Sequence, residues 1–185
     1  MESILVWLGI FYLTQSKPHL RSYLSSLFLT FTGVLGFWYP SIAYLGNSSA
    51  FGYYLIDIVD CIRKRDLLFF LHHGLTLLLI FENFRSSEVK YISLYGALMN
   101  LSSIFYGWKE MSRNPELYKF WYPKISSNQA RIIFGILFIL SRIIIGIPYG
   151  IYILNSLSWT TRLGIILTFC FNLNWTLQIF LKILL

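Results

Sequence analysis

The sequence predicts an all-α, polytopic membrane protein: six transmembrane helices around a central cavity, preceded by a short N-terminal apolar segment. Three observations predict it. The 185 residues are 56% hydrophobic and 19% aromatic but only 12% charged, with a mean hydropathy of +0.62. A soluble domain of this length could not hide so much apolar surface behind so few charges. The apolar residues come in long runs separated by short charged segments, the pattern of repeated membrane crossings. Several runs also carry ionisable or amide side chains that hydrocarbon excludes, which belong in the interior of a bundle.

The runs are Ile4–Leu13, Tyr23–Leu45, Ala50–Ile62, Leu67–Phe84, Tyr91–Met111, Arg131–Leu154 and Leu163–Leu184. The first is too short to cross a core of about 30 Å. It reads as an interfacial helix, a half-span or the remnant of a longer helix, and residues 1–20 are set apart from a transmembrane domain of residues 21–185. Ala50–Ile62 is also short, but Gly46 to Ser49 can extend it. No signal peptide is expected, since Glu2 stands where a basic region should be and no small-residue cleavage site follows Leu13.

If the six later runs all cross, one side receives Lys17, Arg21, Arg63, Lys64, Arg65, Lys109, Arg113, Lys119, Lys124, Arg131 and Lys182, and the other only Arg85, Lys90 and Arg162. The imbalance puts the first side, and both termini, in the cytosol. The net charge of +7 thus reads as topology, and no nucleic-acid partner is expected. Cys61 and Cys170 form no C-x-x-C and read as free thiols. The connection Ser112–Ala130 mixes Trp121, Tyr122 and Pro123 with Arg113, Lys119 and Lys124, as headgroup-level loops do.

The stretch Gly52–Phe84 holds four groups that hydrocarbon should exclude: Asp57, Asp60, His72 and His73. Each charged group in a span costs about 2.5–3.5 kcal/mol on insertion scales, so each is a functional candidate. A hairpin turning at Lys64–Arg65 sets Asp57 level with His72, roughly 9–12 Å below the turn. Asp57 and Asp60 share a face, whereas His72 and His73 diverge by about 100°. At most one histidine therefore points straight at the aspartates, and the other is better placed to meet a different helix or a substrate. Thr76 lies one turn beyond His72. Asn100, Arg142 and Asn172 form a deeper polar set near mid-membrane. Arg142 needs either a structural partner such as Asp57 or a ligand's polar group. Glu82 and Asn83, near the opposite surface, read as solvated. A metal site from Asp57, Asp60 and His72 has suitable donor types but no strong ligand spacing, and no metal is expected.

Taken together, the segments GYYLIDIVD, HHGLTLLLI, LMNLSSIFY, FILSRIIIGIPY and FNLNWTLQIF resemble, in order and spacing, the TLC domain family, which includes the ceramide synthases. His72, His73, Thr76 and Leu79 match the synthases' HHxxTxxL. The rest departs from it: Asn83-Phe84 stands where Ser-Tyr is expected, and no aspartate follows Asp66, so the HDxxD segment is missing. The resemblance therefore favours the small TLC-domain-containing proteins, which are linked to membrane lipid composition. It implies an endoplasmic reticulum or other endomembrane location.

Two functional readings follow. In the first, the chain transfers an acyl group from acyl-CoA, as co-substrate and with no resident cofactor, to a lipid amine or hydroxyl. His72, His73 and Asp57 are then catalytic, and Asp60, Thr76, Asn100, Arg142 and Asn172 bind substrate. In the second, it is a non-enzymatic lipid-binding regulator of lipid homeostasis using the same cavity. Membrane lipids are the expected partners in both, and the sequence leaves the oligomeric state open.

Overall fold

The computed structural model describes residues 5, 8–10, 12, 14, 17–84, 89–116, 118 and 125–184. Among them there is no strand, and six long helical segments follow in order. These are α1 (Pro18–Gly36), α2 (Pro40–Lys64), α3 (Leu67–Asn83), α4 (Val89–Met111), α5 (Ser127–Leu154) and α6 (Trp159–Leu184). Residues 5, 8–10 and 12 are helical too; the rest of the Ile4–Leu13 run, the cluster Trp121-Tyr122-Pro123, and Lys119 and Lys124 lie outside the described residues.

One boundary corrects the sequence reading. Tyr23–Leu45 is not one helix: α1 ends at Gly36, and Pro40 opens α2. Proline has no N–H to donate and fits the first turn of a helix, so it starts a new one rather than continuing the old. The short run Ala50–Ile62 thereby becomes a helix of 25 residues.

The other ends carry recognisable signals. α2 stops in a Schellman motif, with Arg65 left-handed at φ 55° and the Asp66 N–H donated to the Cys61 carbonyl at 3.0 Å. Asp66 then caps α3 by accepting the Phe69 N–H at 3.2 Å. Ser126 and Gln129 form a capping box at the start of α5. Within α5, Ile139–Gly146 widens into a π-helix. The cause lies just beyond it: the Pro148 ring would strike the carbonyl four residues earlier, and a wider turn relieves the clash.

The helices close a ring. α1 packs against α2 and α4, α2 against α3, α3 against α6, α6 against α5, and α5 against α4. The α1–α4 seam is the most extensive. A Cβ on Gly33 would run into the Ser93 carbonyl and Ala97, so only glycine permits the approach. At the end of α1, Leu20, Met111 and the fully buried Tyr118 form a satellite core, where burial pushes the Tyr118 phenol up.

Polarity is inverted relative to a soluble protein. Phe31, Leu71, Ile136, Ile144 and Leu177 point outward, while Arg21, Ser25, Ser49, Ser102 and Asn172 are buried. α5 is long and apolar enough to cross a membrane by length and composition, and α3 is a shorter apolar helix. Asn83 also corrects the sequence reading. It is buried, not solvated, because His73, Thr76, Ile80 and Asn83 recur at three- and four-residue steps along the inner face of α3.

Candidate functional site

The ring encloses a cavity of about 1220 Å³ with contributions from all six helices, larger than the roughly 300–1,000 Å³ of most small-molecule sites. Its polar groups fall into two sets.

The first joins α1, α2 and α3. Arg21, 1% exposed, donates from Nη2 to Asp57 Oδ1 at 3.0 Å and also to Asp60 Oδ2. The other Asp57 oxygen, Oδ2, meets His73 Nδ1 at 3.1 Å. Asp57 and Asp60 lie three residues apart on one face of α2, so a single guanidinium reaches both. Arg63 stays 3.9 Å from Asp60 on the exposed side and adds little there. The His73 ring is held among Tyr54, Phe69 and Tyr53 at centroid distances of 5.1, 5.8 and 6.5 Å.

The aspartate thus meets His73 rather than His72, and the turn explains why. Arg65 ends α2 and Asp66 begins α3, one residue later than a turn at Lys64–Arg65. A one-residue shift rotates the partner face by about 100°. His72 instead points at α6, 4.8 Å from Trp175 and 5.6 Å from Phe171 between ring centroids. Its Nδ1 is buried with no hydrogen-bond partner among the described residues. Thr76 donates to the His72 carbonyl at 2.8 Å and leaves the ring alone.

The second set surrounds Arg142, 8% exposed. Its Nε donates to Ser102 at 3.1 Å, Nη1 to Asn172 Oδ1 at 3.1 Å and Nη2 to Ser103 at 2.9 Å. Phe138 and Trp175 lie against the guanidinium at 4.6 and 5.9 Å. Arg142 forms no ion pair with Asp57; its hydrogen-bond partners are all neutral, and the charge has no carboxylate among them. Asn100 does not join this set. It donates to the Gly96 carbonyl at 2.9 Å, yet it lines the same cavity. Trp175 lies against both His72 and Arg142.

Sequence reasoning missed Arg21, which looked like a topological charge at the edge of an apolar run. Its signal was the polar stripe of Arg21, Ser22, Ser25 and Ser26 on an otherwise apolar helix. Ser102, Ser103 and Trp175 lay in segments that stood out in the sequence, LMNLSSIFY and FNLNWTLQIF, but were not named as site residues.

A family model of the TLC domain matches residues 2–185. The chain belongs to the TLC domain family. No curated protein and no solved structure matches it. Membership makes this TLC domain a membrane protein and points to a function concerned with membrane lipids. The double histidine and Arg142 of this TLC domain face one cavity.

Proposed function

We propose that the chain is a six-span endomembrane protein, of the endoplasmic reticulum or a related compartment, that transfers an acyl group within its cavity. The donor is a cytosolic acyl thioester such as acyl-CoA, and the acceptor is a lipid amine or hydroxyl. The observation that carries the reading is His72: a buried imidazole nitrogen without a partner, in the wall of a lipid-sized cavity.

The chemistry is proton transfer at a fixed geometry. The imidazole accepts the acceptor's O–H or N–H proton as the new C–O or C–N bond forms. The thioester C–S bond breaks, and the departing thiolate takes the proton back. Arg142, with no counter-charge among its partners, is suited to the carbonyl oxygen as negative charge develops there. His73, fixed by Asp57 and Arg21, is the positioned neighbour, and Asp60, Thr76, Asn100 and Asn172 shape the wall.

Inverted polarity supports multiple crossings, since exposed Phe31, Leu71 and Ile144 need lipid around them. The excess of Lys and Arg on one side supports a cytosolic position for both termini and for the charged mouth of the cavity. Lys64, Lys109, Arg113 and Arg131 line that mouth and attract an anionic donor.

The second reading, a non-enzymatic lipid-binding regulator, is favoured by the same Arg142. A cation held only by neutral groups can retain an anionic lipid without turning it over.

Membranes carrying wild type or His72→Ala, matched for protein amount, decide between them when supplied with labelled acyl-CoA and either a sphingoid base or a lysophospholipid. Label in a new lipid with wild type alone supports acyl transfer. Identical products from both membranes, with a lipid still copurifying, remove the catalytic reading and leave the regulator.

A further inference from the structure

The Arg21 network has one neighbour the acyl-transfer reading does not use, Cys61, and it forms a grouping with two members of that network. Asp57 and Cys61 are four residues apart on α2 and so share a face one turn apart. His73 reaches them from α3 across a turn fixed by the Schellman motif. The ligating atoms of the three residues all lie within 4.8 Å of one another. His73 Nδ1 is 3.7 Å from Cys61 Sγ and 3.1 Å from Asp57 Oδ2.

The arrangement is not a nucleophile relay. A Cys–His–Asp relay needs the thiol on one ring nitrogen and the carboxylate on the other. Here a single nitrogen faces both, so the three donor atoms converge on one point instead of forming a line. Convergence of sulfur, nitrogen and oxygen donors is what a tetrahedral cation requires. With metal–sulfur near 2.3 Å and metal–nitrogen or metal–oxygen near 2.0–2.1 Å, a tetrahedral site has an S···N edge of about 3.6 Å and an N···O edge of about 3.3 Å. Both edges at His73 lie close to these; the third, between the Asp57 carboxylate and Cys61 Sγ, is within 4.8 Å, so the two α2 side chains draw together as the ion binds.

From this convergence we infer that Asp57, Cys61 and His73 form a binding site for a zinc-type divalent cation. The mixed S, N, O donor set suits zinc better than calcium or magnesium, which take oxygen alone. Spacing alone would suggest Asp57, Asp60 and His72, but Asp60 is engaged by Arg21 and His72 points to α6. Asp57 offers Oδ2 to the metal while Arg21 holds Oδ1, and ligating carboxylates are commonly steadied in this way. The Tyr54 and Phe69 rings fix the imidazole. On binding, Cys61 loses its thiol proton to water, and thiolate and carboxylate together balance the two positive charges. All three residues line the cavity, so the fourth position faces it.

The site stands whether or not the chain transfers acyl groups, and its test reads metal rather than turnover. The full chain is purified in detergent without chelator, and zinc is measured by mass spectrometry. It is then exchanged for Co²⁺, whose absorption reports thiolate ligation and tetrahedral geometry. About one zinc per chain is expected for wild type and for Cys170→Ser, which removes the exposed thiol. Cys61→Ser and His73→Ala should bind at least about tenfold more weakly. Equal metal content in Cys61→Ser and wild type overturns the site as adventitious binding. If the variants do not fold, the wild-type cobalt spectrum decides alone: a spectrum without the thiolate-to-cobalt band overturns it.

Discussion

Replacing Arg21 by methionine tests whether one guanidinium holds three helices together. The substitution keeps the apolar stem but leaves Asp57 and Asp60, 20% and 17% exposed, side by side on α2 without their cation. Stripping one partner from a buried ion pair costs about 3–5 kcal/mol, mostly because the remaining charge is left uncompensated. The carboxylates' contact with the cavity puts this case at the lower end, about 3 kcal/mol. For a chain of this size that corresponds to a fall in melting temperature of roughly 6–12 °C. Thermal unfolding of the purified protein in detergent, followed by tryptophan fluorescence, reads it. A triple variant, Arg21→Met with Asp57→Asn and Asp60→Asn, removes cation and anions together and should recover at least half of the loss. A fall under about 2 °C for the single variant, or a triple variant no more stable than the single, would show that the network is solvated and holds nothing.

Gly33→Leu should destabilise by about 1–3 kcal/mol, because its side chain has only the Ser93 carbonyl and Ala97 to displace; an unchanged melting temperature would mean that the α1–α4 seam is looser than described. Arg65→Gly should stabilise by up to about 1 kcal/mol by relieving the left-handed backbone at φ 55°, with no gain in a denaturation midpoint counting against the Schellman end. Arg142→Gln should reduce retention of an anionic lipid about 10–100-fold, the loss of a charge-assisted contact; undiminished copurification in quantitative lipid mass spectrometry would place the ligand elsewhere.

The helices were legible because an inverted-polarity protein advertises them: long apolar runs broken by charge match the last four of the six segments within a few residues. The first two share one error: Tyr23–Leu45 was read through Trp38-Tyr39-Pro40 because aromatic residues count as apolar, while a backbone without an N–H is invisible to hydropathy, and Ala50–Ile62 was left ten residues short at its start. Site chemistry was legible by type but not by partner. Asp57, Asp60, His72, His73 and Arg142 stand out by their cost in hydrocarbon. Which histidine meets the aspartate depends on a single residue in the turn, and pattern reading does not resolve turns that finely. Arg142's partners escaped for a different reason: Ser102 and Ser103 belong to a segment legible as polar, but only the packing of α4 against α5 shows which residue they serve.

The division of the polar groups by chain order bears on how the protein is made. Arg21, Asp57, Asp60 and His73 all lie within α1 to α3, so these three helices carry mutually neutralising partners before α4 is made. Arg142 is held from α4 and α6, and its amide partner Asn172 is synthesised thirty residues after it. A nascent chain stalled before α6 would therefore hold one settled ion cluster and one arginine still lacking its amide. Quality control that senses unsatisfied polar groups in a bilayer could read that arginine as the mark of an unfinished molecule.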